Sequence, residues 1–116
     1  MLQHATLEIR REQLDDCVSF YALLGFERVE PPLSLAEGAA WLQRGATQIH
    51  LMWVEEPVAL PRGHVAVVVD DYEATCRSLG EAGHEPEPRR EHWGSPRAYV
   101  RDPAGNLVEL MAFPPA

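Results

Sequence analysis

The sequence predicts an α+β fold of two tandem βαβββ modules, forming a curved mixed sheet around a cavity. Three observations carry this expectation. The chain writes one pattern twice, each copy alternates strand-like and helix-like periods, and a glycine closes each helix. "HATLEIRREQLDDCVSFYALLGFE" from His4 matches "HVAVVVDDYEATCRSLGEAGHE" from His64; the second copy lags by 60 residues at the histidines and 58 at Gly25 and Gly83. The back halves match too. In "AAWLQRGATQIHLMW" and "RAYVRDPAGNLVELMA", Trp41 falls on Tyr99 and His50 on Glu109.

Within each copy the elements follow from local physics. "LEIR" and "VAVVV" are short aliphatic, β-branched runs, which suit strands. "REQLDDCVSFYALL" carries apolar residues at Leu14, Cys17, Val18, Tyr21 and Leu24, one stripe of a helix, and Gly25 can take the positive φ that stops it. "DDYEATCRSLGEAG" repeats the design, with Asp70 or Asp71 as N-cap and Gly83 as stop. "RDPAGN" is a tight turn, with Gly and Asn suited to left-handed backbone, and "RGAT" is its counterpart. One domain thus divides into a first module over residues 1–54, a Pro-containing linker over 55–62 and a second module over 63–116.

Composition bounds the partners. A chain of 116 residues with a net charge of −8 makes one globular domain whose surface repels phosphate backbones. Nucleic acid and membranes are therefore not expected partners, and a cytoplasmic location is the default. Cys17 and Cys76 are expected as reduced thiols rather than a disulfide framework.

Side chains alternate along a strand, so on the first strand His4, Thr6 and Glu8 share the face opposite the helix. The repeat makes His4 equivalent to His64 and His50 to Glu109. A pseudo-twofold axis is expected to bring these four together as three imidazoles and a carboxylate, a donor set for Zn, Ni, Co, Fe or Mn. His84 is expected at the surface, and His92 lies in a loop.

"YVRDPAGNLVEL", with "GHVAVVVDD" and "HATLEI" followed by "FYALLGFE", resembles the vicinal oxygen chelate superfamily of glyoxalases, bleomycin resistance proteins and dioxygenases. The resemblance spans essentially the whole chain. It implies metal ligands at His4, His64 and Glu109, with a fourth site at His50, where glyoxalase-like relatives carry Glu or Gln. It also implies catalytic roles for His50 and Glu109 and a pocket lined by Thr6, Trp93, Arg97 and Tyr99, with Arg97 on a substrate acid group. The common chemistry is chelation of a small molecule through two oxygens, followed by acid/base steps of the lyase or isomerase type. The same site can serve an iron dioxygenase or a metal-dependent thiol transferase, and a metal-free drug-binding protein is the reading from another class. Small members of the superfamily imply a homodimer with the site at or near its interface.

Overall fold

A computed structural model describes all 116 residues. The first module runs β1 (His4–Ile9), α1 (Leu14–Ala22), β2 (Glu27–Val29), β3 (Ala39–Arg44) and β4 (Thr47–Trp53). The second runs β5 (Val65–Val68), α2 (Tyr72–Glu81), β6 (Glu87–Arg89), β7 (Arg97–Arg101) and β8 (Leu107–Met111). Each module makes a four-stranded mixed sheet in the same order, β1-β4-β3-β2 and β5-β8-β7-β6, with the first two strands parallel. The tandem βαβββ architecture is therefore as expected. None of the helices is long and apolar enough to cross a membrane.

The helices start differently in the two copies but stop in the same way. A single 3-10 turn, Arg11–Gln13, precedes α1, so the predicted start of that helix is tighter than α-helical. Cys17, Phe20, Tyr21 and Leu24, spaced as one helical face, are buried; Asp15 and Asp16 sit in the first turn, where the helix dipole favours them. Helix α2 is capped by the Asp71 carboxylate, which accepts from Ala74 N at 3.1 Å. Gly25 and Gly83 take φ of +92° and +90°. In both cases the next amide reaches back five residues to a helical carbonyl, Phe26 to Tyr21 and His84 to Leu79. The repeat thus extends to the closing hydrogen bond of each helix.

Two expectations need correction here. The two sheets do not merge into one, because β1 and β5 share no ladder. They face each other as edges, flanking grooves of about 270 and 350 Å³. His84 is not simply at the surface, since its ring packs edge-on against Phe20 with centroids 5.2 Å apart.

What joins the modules is a single core that draws Ile9, Phe20 and Tyr21 from the first copy and Val67, Leu79 and Leu110 from the second. The "DPAGN" turn is its polar clasp. The buried Asp102 carboxylate accepts from Tyr21 Oη at 2.7 Å, from Ala104 N and Asn106 N at 2.9 Å, and from Asn106 Nδ2 at 3.1 Å. Four donors satisfy a charge that would otherwise be costly to bury. Asn106 Nδ2 also donates to Glu8 O of β1 at 3.0 Å. Gly105 takes the left-handed conformation alone, and Asn106 does not. Asn106 is there for its amide, which ties the two copies together.

Candidate metal centre

The open faces of the two sheets carry equivalent rows of side chains. Ladder pairing sets Thr6, His50 and Trp41 side by side in the first sheet, and Ala66, Glu109 and Tyr99 in the second. His4 lies two residues before Thr6, and His64 two before Ala66. The repeat read from sequence is therefore reproduced at the level of strand register.

In the first sheet the His50 ring is sandwiched. His4 stacks on one neighbour position at 4.1 Å between centroids, and Trp41 at 4.2 Å with an interplanar angle of 1°. Trp41 was not expected in this cluster, although its repeat equivalence to Tyr99 signals it. His50 is buried, and its Nε2 donates to Gln48 Oε1 at 2.8 Å, while Gln48 is itself oriented by Gln43. Burial, and then the neighbouring His4, hold its titration below the ordinary 6.5.

In the second sheet Glu109 is buried and engaged at both oxygens. His64 Nε2 donates to Oε1 at 3.0 Å and Arg97 Nε to Oε2 at 2.8 Å. Arg97 is fixed further by Arg90 O at 2.8 Å and Tyr99 Oη at 3.3 Å, and its hydrogen bond to Glu109 makes the guanidinium still more basic than usual. The guanidinium expected on a substrate acid group is thus committed to the carboxylate of the site. Tyr99 lies 5.2 Å from the His64 ring and borders the pair. Trp93 instead donates to Phe113 O at 2.7 Å, and Thr6 faces the first-sheet cluster beside His50.

The outer nitrogens distinguish the histidines. His64 Nδ1 is held by Arg62 O and His4 Nδ1 by Gln3 Oε1, each at 2.7 Å. Both rings therefore aim Nε2 into the open face, and anchoring one nitrogen on an acceptor is how proteins orient a metal-binding imidazole. His50 is anchored the opposite way, through Nε2. The chemistry of this set, imidazoles plus one carboxylate, fits a borderline divalent ion.

One chain does not bring the four residues to one point, and no three His, Cys, Asp or Glu side chains lie within reach of one ion. The reason is the direction of the repeat axis. Arg44 Nη1 donates to Val68 O, so the end of β5 lies beside the start of β4, while Asn106 joins the start of β8 to the end of β1. Strands β1 and β5 run in opposite senses, and His4 and His64 sit at opposite ends of them. The single cluster expected from the sequence becomes two pairs, His4 with His50 and His64 with Glu109.

Comparison with known proteins gives the chain a family. A family model described as the Glyoxalase/Bleomycin resistance protein/Dioxygenase superfamily matches residues 2–110. The chain belongs to that superfamily. A glyoxalase family protein from Bacillus anthracis has a similar structure, with a TM-score of 0.86 at 25% identity over 96% of this chain and 93% of its own. A lactoylglutathione lyase from Agrobacterium tumefaciens gives a TM-score of 0.72 at 22% identity, covering 96% and 92%. A fosfomycin resistance protein from Mesorhizobium loti gives 0.72 at 18%, covering 98% and 92%. At these last two identities the likeness is one of fold. No curated protein matches the chain.

Proposed function

We propose that this chain is a divalent-metal-dependent, glyoxalase-like lyase or isomerase acting on a small molecule, as a cytoplasmic homodimer. The observation that carries the reading is the matched anchoring of His4 and His64. At repeat-equivalent positions both rings hold Nδ1 on an acceptor; His4 Nε2 has no partner, and His64 Nε2 rests on Glu109 Oε1, the carboxylate that would share the ion with it. Each chain offers half of a donor set. His4 of one chain, with His64 and Glu109 of the partner subunit, would hold the metal, and the partner completes a site that one chain leaves open.

When bound, the metal supplies Lewis-acid stabilisation of negative charge on substrate oxygens. The remaining work falls to the chain. His50 stacks face to face with His4, so their lone pairs run side by side rather than toward one point. That geometry favours His50 as the group that accepts and returns a substrate proton, at its free Nδ1. Trp41 and Gln48 hold the ring still for that transfer. Arg97 fixes Glu109 through Oε2 and leaves Oε1, now on the His64 proton, as the oxygen to be given up to a ligand. Thr6, Trp93 and Tyr99 remain proposed as pocket residues.

One observation favours a second reading, a metal-free binding protein. Glu109 already has both oxygens satisfied by His64 and Arg97. Adding Zn, Ni, Co, Mn or Fe to metal-free protein separates the two. A saturable rise in melting temperature that is lost in His64→Ala supports the metalloenzyme. Unchanged melting with every ion sinks it in favour of the binding protein. Iron loading with oxygen uptake would move the assignment to a dioxygenase.

A further inference from the structure

We propose that a cavity lined by Arg62, Arg89 and Arg101 is an anion subsite, built to hold a carboxylate or phosphate arm of the ligand. The cavity, about 680 Å³, opens at one end of the second sheet and has Tyr99 and Leu107 in its wall. Tyr99 and Leu107 flank Glu109 on the same open face, because their ladder partners are Glu109 itself and Arg101. The inference deepens the proposed function only in calling the bound molecule a substrate. The affinity for an anion stands on the cavity alone.

The charge balance of the lining favours an anionic ligand. The chain is acidic, at −8, and has no lysine, yet three of its ten arginines open onto this one space. Arg89 is paired with Glu87 at 3.0 Å and lies over the Tyr99 ring, 5.0 Å from its centroid. Arg101 is pinned by Leu60 O, Pro61 O and Gly105 O, which are neutral acceptors that orient a guanidinium without cancelling its charge. Arg62 lends its carbonyl to His64, while its guanidinium makes no hydrogen bond or ion pair. The other carboxylate in the lining, Glu85, is turned toward helix α2, where its Oε2 lies 3.1 Å from the point a β-carbon on Gly80 would occupy. Two guanidinium charges are thus left without a carboxylate partner in one concave space. Guanidinium forks match the paired oxygens of carboxylates and phosphates, and an aromatic wall excludes water from one side of the contact.

The subsite also explains why Arg97 can be given over to Glu109. A ligand bound across this face would set its oxygens toward His64 and Glu109 and its acidic arm toward Arg62 and Arg101. Recognition and chemistry are then carried by different arginines.

Metal-free protein, titrated separately with inorganic phosphate and with succinate, provides the test. The arginine Nε–Hε signals of an amide-type NMR correlation spectrum report directly. Saturable shifts at Arg62, Arg89 and Arg101 are expected, and the shift at the retained Arg101 should saturate about tenfold or more weakly in Arg62→Gln/Arg89→Gln, both exposed positions whose loss leaves the fold intact. Saturation by phosphate alone assigns a phosphate arm, and saturation by succinate assigns a carboxylate arm. Absence of saturable shifts with either probe overturns the proposal, as do shifts that survive in the double variant. No metal is present in this experiment, so its failure leaves the metalloenzyme reading standing, and failure of that reading leaves this result unchanged.

Discussion

The Tyr21 hydroxyl donates a 2.7 Å hydrogen bond to the Asp102 carboxylate across 81 residues of chain, with both groups buried. One residue is on the helix of the first module and the other begins the turn of the second. Tyr21→Phe removes one of four donors and is expected to destabilise by about 1–3 kcal/mol. Asp102→Ala leaves the Tyr21, Asn106 and Ala104 donors without their shared acceptor and is expected to cost about 3–5 kcal/mol, the upper range for a point change, because several hydrogen bonds are lost at once. Urea unfolding measures both. A loss below about 0.5 kcal/mol for Asp102→Ala, the size of an ordinary surface change, would show that the turn does not clasp the modules.

Mixing two defective chains tests the shared site. His4→Ala and His64→Ala homodimers are each expected to lack tight metal binding. Random reassortment makes half of the dimers mixed, and each mixed dimer restores one of two sites, so about a quarter of the full metal capacity should return. Equilibrium dialysis of the refolded mixture reads this. Capacity that stays at zero after verified subunit exchange argues against a site divided between chains.

His50 is separable from the ligands if it moves protons rather than holding the metal. His50→Gln is expected to keep metal-dependent thermal stabilisation while losing about 10²–10⁴-fold in turnover, the usual contribution of a general base. Loss of the metal response in this variant would place His50 among the ligands.

Acid should find the same residue. Burial and the adjacent His4 disfavour the charged form of His50 in the folded chain, so its titration lies below the ordinary 6.5. The unfolded chain therefore takes up this proton first, and folding stability is lost as pH falls below about 6.5. Melting temperature against pH should fall more steeply in the native chain than in His50→Gln, which has no proton to take up at that position. Parallel curves would contradict the assignment.

The two thiols should differ in reactivity. Burial, and then the charge of Asp102, push Cys17 up to about 12, and its side chain has no exposure. Alkylation by iodoacetamide at pH 8 is expected at half-buried Cys76 well before Cys17, which should react only on unfolding. Mass mapping of a partial reaction decides the order.

Much of this was legible in the chain itself. The repeat, the helix stops at Gly25 and Gly83 and the Asp71 cap rest on local chemistry, which neighbouring residues determine. The phase of His4, Thr6, His50 and Glu109 also follows from strand alternation. What the sequence did not disclose is the relative direction of the copies. The repeat alone implies two equivalent copies; how they are set against each other across β1 and β5 depends on contacts such as Arg44 with Val68 O, which no periodicity encodes. The same limit applies to Arg97. Its residue type suggested an anion partner, and only the fold shows that the anion is Glu109.

The common core bears on where such a chain came from. Tyr21 and Phe20 meet Asp102 and His84 of the other copy, so a single half-length module would leave an oily helix face open to water and part Tyr21 from its acceptor. An ancestor of half this length could persist only by associating with its twin. Gene fusion would then have converted an association between molecules into one within a molecule. It would also have freed the two copies to diverge, one keeping a histidine at position 50 and the other a glutamate at 109.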